Sequence, residues 1–272
     1  MKFISDPNFS HSLFKDVVRI DYQSDMPPYL INDYGYTYLM FCYGDFEAVD
    51  HKGNLVPVPQ KLVKGTGDYF SITAHKDNIW ITLEMPNHVL YNITGIPSNR
   101  SRNVLYDLES YVDPTVLDSL YDALRNKESI SGIIETVDEH LSHYYSKWGR
   151  PLKSTPIVEY IYQEKGLITL ADLQVQFPYS ERTLERMFNK EVGCSPYRFI
   201  CLVRFNYVIR EIENNPEVLI SDLTAQYNYY DHSHFEKDFQ KFLGQSVSNY
   251  KNEFNPLLTQ ALARKFVKAD DA

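Results

Sequence analysis

The chain is short of the features that mark several protein classes. It has three cysteines in 272 residues, Cys42, Cys194 and Cys201. They are odd in number and widely spaced, which argues against a disulfide framework or a zinc module and fits a reducing cytoplasm. No apolar run approaches the roughly 20 residues that span a bilayer, so no membrane association is expected. The opening stretch, MKFISDPNFSHSLFKD, has no continuous apolar core and reaches Asp6 quickly, so it does not read as a secretory leader. In the first half His51, His75 and His88 stand singly, without the H-x-H spacing of a metal-dependent barrel enzyme. No metal, no cofactor and no catalysis is expected there. Positive charge is also scarce, with 27 Lys and Arg against 36 Asp and Glu, net −9. That is a poor start for a DNA binder, whose domains are usually basic. The deficit is uneven, however. Residues 1–150 hold 13 basic and 20 acidic side chains, net −7, whereas residues 151–272 hold 14 and 16, net −2.

What is present points to two regions. A 43% hydrophobic fraction supports a real core. From about residue 15 to 100, Tyr, Phe, Val, Ile and Thr recur in short runs such as YTYLMFCYGDFEAV, DYFSITA and NIWITLEM, separated by turn clusters. FEAVDHKGNLVPV reads as a hairpin with Gly53-Asn54 in its turn. Serial short strands predict an antiparallel barrel or sandwich. Its aromatic load, including Tyr34, Tyr36, Tyr38, Phe41, Tyr43 and Trp80, reads first as a packed core and second as the lining of a small-ligand pocket. After residue 103 the period changes. Asp113 caps and Pro114 opens a helix with Val116, Leu117, Leu120, Tyr121 and Leu124 on one stripe. A second amphipathic helix follows through Trp148, and the pair would cover a barrel edge or meet a second copy. GRPLKSTP, residues 149–156, is the predicted domain boundary.

Everything beyond that boundary reads as helix, and it repeats. At an offset of 51, Leu184 meets Phe235, Arg186 meets Lys237, Phe188 meets Phe239, Lys190 meets Lys241 and Gly193 meets Gly244. Upstream, at an offset of 50, Leu170 meets Ile220 and Leu173 meets Leu223. The unit is a short helix, a tight turn and a longer capped helix ending at Gly, which is the helix-turn-helix pattern. In the first copy Leu184, Met187, Phe188 and Val192 share a face, opposite Arg182, Glu185, Arg186 and Asn189. In the second, Phe235, Phe239, Phe242 and Leu243 face in, leaving His232, Ser233, Glu236, Lys237 and Gln240 to solvent. Between them PYRFICLVRFNYVIREIENN predicts one amphipathic linker helix, roughly 27 Å long.

Residues 154–252 resemble the two-motif DNA-binding domain of AraC/XylS-type transcription regulators. The matching stretches are ITLADL, S-x-R-T-L-x-R-M-F, G-C-S-P, F-I-x-x-x-R-F, LISDL, HSHFEKDFQKFLG and Tyr250-Lys251. Departures are Gln174 and Thr224 where a small Ala is usual, Asn228 in place of a turn Gly, Pro178 in the first turn, and Val247 in the second G-x-x-P. Glu181 and Glu185 stand where neutral or basic residues are common. The resemblance implies base-edge contacts from Arg182, Thr183, Arg186, His232, Ser233 and Lys237, and phosphate contacts from Lys190, Arg198, Lys241 and Lys251. Arg204 reads as structural, paired with a carboxylate.

The expected fold is therefore α+β in two domains. Residues 1–150 form a β-rich, barrel or cupin-like sensing and dimerisation domain with flanking helices. Residues 151–253 form an all-α domain with two helix-turn-helix motifs joined by a linker helix, and 254–272 is a tail. The implied protein is a bacterial, cytoplasmic regulator, an activator, that binds an operator in double-stranded DNA. Its further partners would be a small organic effector, a second copy and RNA polymerase. The competing reading, motivated by the net −2 and by Glu181 and Glu185, is an interaction module that kept the fold without binding DNA.

Overall fold

The computed structural model describes residues 1–31 and 33–252; the expected tail, 254–272, lies outside the described residues. Ten strands build the N-terminal part: β1 (Lys2–Ser5), β2 (Asp16–Asp21), β3 (Tyr29–Ile31), β4 (Thr37–Tyr43), β5 (Phe46–Asp50), β6 (Leu55–Val56), β7 (Lys61–Lys64), β8 (Phe70–Ala74), β9 (Ile79–Met85) and β10 (Tyr106–Asp107). They pair antiparallel in two sheets, one ordered β1-β2-β9-β4-β7-β10 and the other β3-β8-β5-β6. The expected Gly53-Asn54 turn joins β5 to β6, with Gly53 at φ +85° and the Asp50 carboxylate accepting from the backbone of Lys52 and Asn54.

Residue period explains the layers. In β8, Phe70, Ile72 and Ala74 are buried while Ser71 and Thr73 alternate with them, the pattern of a sheet with one covered face. In β4 every residue of TYLMFCY is buried. Tyr38, Met40 and Cys42 point into the core between the sheets, whereas Leu39, Phe41 and Tyr43 point outward into a second core. That second core is filled by α1 (Val89–Thr94), α2 (Pro114–Leu124) and α3 (Ile130–Trp148), through residues such as Leu117, Leu120, Ile133, Val137 and Leu141. The helices thus cover the larger sheet. Asp113 caps α2 as the sequence predicts, accepting from Thr115 N at 2.8 Å. The aromatic residues facing the space between the sheets fill it as a packed core, with Tyr22, Tyr38, Phe70 and Trp80 all buried.

One segment departs from expectation. VLYNIT, inside the stretch that reads as strands, is α1. It ends on Gly95 at φ +68°. Its β-branched and aromatic composition suggests a strand, but Val89, Leu90 and Ile93 share a helical face that the second core buries.

The C-terminal part consists of α4 (Thr155–Gln163), α5 (Leu170–Gln176), α6 (Glu181–Glu191), α7 (Pro196–Asn214), α8 (Ile220–Gln226), α9 (His232–Leu243) and α10 (Val247–Asn252). The linker helix α7 corrects the sequence reading. It is not amphipathic but buried on nearly every side, from Phe199 through Val203, Phe205 and Val208 to Ile212. It packs against α4, α6 and α9 at once. Backbone approach is close at Gly166 (φ +68°), where a Cβ would stand 2.5 Å from Arg204 N and 2.6 Å from Ile200 O. Only glycine fits that conformation and that space.

At the far end of α7, buried Glu213 accepts from Tyr250 Oη at 2.6 Å, tying α10 to the rod. Burial pushes its carboxyl up from 4.5 to about 7, against the opposing effect of that hydrogen bond. A folded-state pKa above the unfolded one means stability present below about pH 4.5 that is lost as pH rises through 7. Glu213→Gln keeps an acceptor without the charge. Thermal or urea unfolding between pH 5 and 8 should show the parent losing about 3 kcal/mol that the variant retains, and parallel pH profiles for the two proteins would refute this.

Candidate nucleic-acid interface

Two helices of similar build pack on α7, α6 through Phe188 against Phe199 and α9 through Phe239 and Phe242 against Phe205. Helix α6 begins at Ser180, whose hydroxyl accepts from Thr183 N, and its core face is Leu184, Met187 and Phe188. Helix α9 begins at Asp231, whose carboxylate accepts from His234 N at 2.7 Å, and buries Phe235, Phe239, Phe242 and Leu243. The turn before α9 holds Asn228 at φ +53°, the left-handed conformation that this residue tolerates in place of Gly. The faces away from the core carry the groups named from the sequence. Arg182, Arg186, His232, Ser233 and Lys237 are exposed, while Thr183 is half-buried with its hydroxyl 3.0 Å from Ser180 Oγ. His232 is also 3.9 Å from Glu236 one turn on. His234 turns the other way, against the Tyr229 ring, so the two imidazoles of H-x-H diverge.

The acidic neighbours on these faces are partly engaged within the helices. The Glu185 carboxylate and carbonyl both accept from Asn189 Nδ2. Glu236 accepts from Val247 N, at the start of α10. Glu181 remains exposed in the first turn of α6.

The four residues expected at phosphates divide. Lys190 and Lys241 are exposed, with their ammonium groups over the rings of Tyr91 and Phe242. Arg198 and Lys251 depart from expectation. Lys251 Nζ donates to Val218 O at 2.9 Å, which satisfies a carbonyl in the loop after α7. Arg198 donates to the Asp68 carboxylate at 2.8 Å, with both side chains largely covered. Its place in the first turn of α7 brings it against the N-terminal domain rather than toward open solvent.

Asp68 is a node the sequence reading missed. It accepts from Arg102, Asn103 and Arg198, so one carboxylate joins the loop before β8, the loop before β10 and the linker helix. Burial alone would push this carboxyl up; the hydrogen bonds from Asn103 and Arg102 and the charges of Arg102 and Arg198 outweigh it and hold the carboxyl below its ordinary value. Nearby, Gly193 (φ +99°) lies against Ser98, whose hydroxyl donates to Glu191 O. The Glu191 carboxylate accepts from Ser154 N at 2.9 Å. Tyr162 of α4 donates to Tyr34 O at 2.9 Å and stacks on Tyr36. No sequence signal marks these contacts, because each joins residues far apart in the chain. Arg204 behaves as read, 3.6 Å from buried Asp238 of α9 and over the face of Tyr229 at 4.5 Å. Cys194 and Cys201 are buried fillers, and burial pushes the Cys194 thiol up to about 12.

Comparison with known proteins bears on both halves. Residues 175–253 match a family model described as a helix-turn-helix domain. The lactose operon transcription activator of Staphylococcus xylosus is 31% identical over 88 residues, 32% of this chain. The match spans 31% of that protein's length. Two solved structures of ToxT from Vibrio cholerae are similar in fold across both domains. One is 13% identical, covers 93% of this chain and 98% of that chain, and gives a TM-score of 0.50. The other, an apo form of a variant, is 14% identical, covers 88% and 97%, and gives 0.51. At such identities the likeness is one of fold.

The Asp68 node generates a stability prediction. Asp68→Asn removes the charge that two arginines share and should cost about 2–4 kcal/mol at neutral pH. The depressed carboxyl gives stability that is present above its ordinary pKa and lost as pH falls through the folded value. The melting temperatures of parent and variant should therefore differ by several degrees at pH 7 and converge toward pH 3. A constant difference across that range would show that Asp68 acts by packing alone.

Proposed function

We propose that this chain, whose C-terminal part is a helix-turn-helix domain of AraC type, is a sequence-specific DNA-binding regulator of transcription. The observation that carries the reading is the repeated geometry. Two capped helices of the same build pack against one buried rod, each with an exposed polar face. The rod has 19 residues and is therefore about 28 Å long. Successive major grooves on one side of a duplex are about 34 Å apart, which is the spacing this reading requires of α6 and α9. Helix α6 offers Arg182, Thr183 and Arg186 to base edges in one groove, and α9 offers His232, Ser233 and Lys237 in the next. Arginine pairs bidentately with guanine O6 and N7, and the hydroxyls serve either base type. Lys190 and Lys241 lie one turn or more further along each helix and supply phosphate contacts that fix position without reading sequence. Arg198 joins them only when its bond to Asp68 opens.

The near-neutral balance of the C-terminal half keeps the electrostatic share of the affinity small. A second copy, brought together through the N-terminal domain, doubles the groove contacts and compensates. The relative from Staphylococcus xylosus is named an activator, and we assign that sign here, with RNA polymerase as the partner contacted at the promoter.

Gel-shift titration against the DNA upstream of the protein's own coding region, at several salt concentrations, tests the assignment. Affinity should fall with salt, with the modest slope that two phosphate-contacting lysines per copy give. Arg186→Ala or Lys237→Ala should cost about 1–3 kcal/mol at particular base pairs, whereas Lys190→Ala or Lys241→Ala should weaken all sequences alike and reduce the salt slope by about one. Absence of binding at low salt would favour the interaction module instead, a reading to which exposed Glu181 lends some weight.

A further inference from the structure

The turns of the two helix-turn-helix units differ in length by one residue, and that residue is Tyr230. At the offset of 50 that pairs Leu170 with Ile220, Phe177 meets Tyr227 and Tyr179 meets Tyr229. At the offset of 51 that pairs α6 with α9, Ser180 meets Asp231. Tyr230 falls between the two alignments and has no counterpart in the first unit. The longer turn bends at Asn228, φ +53°, where the shorter one has Pro178.

The residues on either side of Tyr230 are held. Tyr229 is buried, its ring 5.1 Å from that of Phe235 and 4.5 Å from the Arg204 guanidinium. Its N–H donates to Thr224 O at 3.0 Å. Asp231 caps α9 through His234 N. The turn is thus tied to the core just before Tyr230 and to the helix just after it. In the first unit the residue that precedes the cap, Tyr179, packs against the core. In the second, Tyr229 takes that packing place and Tyr230 is left 92% exposed, the most exposed large apolar side chain among the described residues.

A single exposed aromatic is ordinary; the position of this one is not. His232 and Ser233, offered to base edges in the second groove, follow within three residues, and all three side chains are exposed. The N-terminal end of a reading helix enters the major groove, so a residue just before its cap stands at the groove edge, where the sugar-phosphate strand runs. Tyrosine suits that place. Its ring covers the apolar face of a sugar, and its hydroxyl donates to a phosphate oxygen. The positive end of the α9 dipole favours the same phosphate. A hydroxyl is also neutral, so the contact draws on no positive charge from residues 151–272, which hold 14 basic and 16 acidic side chains.

We propose that Tyr230 is a DNA-backbone contact of the second helix-turn-helix unit, its hydroxyl on a phosphate at the edge of the groove that α9 enters and its ring against the adjoining sugar. The two half-sites are then held unequally, α9 by Tyr230 and Lys241 and α6 by Lys190. That role rests on the DNA-binding function proposed above.

Titration of the full chain with the DNA upstream of its own coding region, at several salt concentrations, tests the contact through Tyr230→Ala and Tyr230→Phe. The alanine variant should bind about tenfold more weakly, and the phenylalanine variant about threefold. Both losses should be alike for every sequence the parent binds. The slope of affinity against salt should stay that of the parent, because no charge that releases counterions is lost; Lys241→Ala, by contrast, should flatten it. Replacing phosphates one at a time by methylphosphonate should find a position in the second half-site that weakens the parent and leaves Tyr230→Phe unaffected. The side chain is exposed, and circular dichroism checks that both variants fold. Parent-like affinity of Tyr230→Ala overturns the proposal, and a fall in transcription at unchanged affinity would give the residue a protein partner instead. A loss confined to particular base pairs, or the same methylphosphonate profile for the parent and Tyr230→Phe, overturns it too. If the parent itself binds no DNA at low salt, the DNA-binding function and this role fall together, an outcome distinct from a parent that binds and a Tyr230 that does not matter.

Discussion

The architecture depends on the all-round burial of α7. A helix with only one apolar stripe has a solvent face along which its neighbours can slide or roll. Here five successive residues, Phe199, Ile200, Cys201, Leu202 and Val203, point to all sides of the helix and are each sealed, so α4, α6 and α9 are all referenced to one rod. The contacts at its surface are specific as well as apolar. Gly166 lets the backbone after α4 touch that of α7, and Arg204 pins α9 through Asp238 and Tyr229. Separating the two helix-turn-helix units means exposing this surface, which is costly in proportion to its area. Their spacing is thus a property of the core.

The same rod carries the joint with the N-terminal domain. Its first turn places Arg198 on Asp68, and the neighbouring end of α6 places Gly193 and the Glu191 carbonyl on Ser98. The residues facing the space between the sheets and those of the helical domain form one continuous cluster. Even so, the outward faces of α6 and α9 remain open, with Arg182, Arg186 and Lys237 exposed. Docking holds the base of the helical domain and leaves the polar sides of these two helices free.

Net charge describes this molecule badly because much of the acid has internal work. Asp231 and Asp113 cap helices, Asp68 and Asp238 pair with arginines, Glu191 and Glu213 accept hydrogen bonds at the joints, and Glu185 and Glu236 bond within or beside their own helices. Counting all of these against DNA binding, as composition does, overstates the repulsion at the exposed faces.

Local pattern made a good part of this legible. The period of two in β8, the Gly53-Asn54 hairpin, the caps at Asp113, Ser180 and Asp231, and the repeat that pairs α6 with α9 are all properties of neighbouring residues, and neighbours fix backbone geometry and the face each side chain takes. Where the reading failed, the deciding partner was distant. VLYNIT is a helix because a core closed by α2 and α3 buries one of its faces, and α7 is buried on nearly every side because three other helices pack on it. The partners of Arg198 and Lys251 within the chain are not legible in sequence, because only the fold brings Asp68 and the Val218 carbonyl to them. The sequence by itself determined which segments are strands, hairpins and capped helices, and that two of those helices are copies of one design. Tertiary structure alone decided which charges meet a partner, because a buried ion pair is made by residues that chain order keeps far apart.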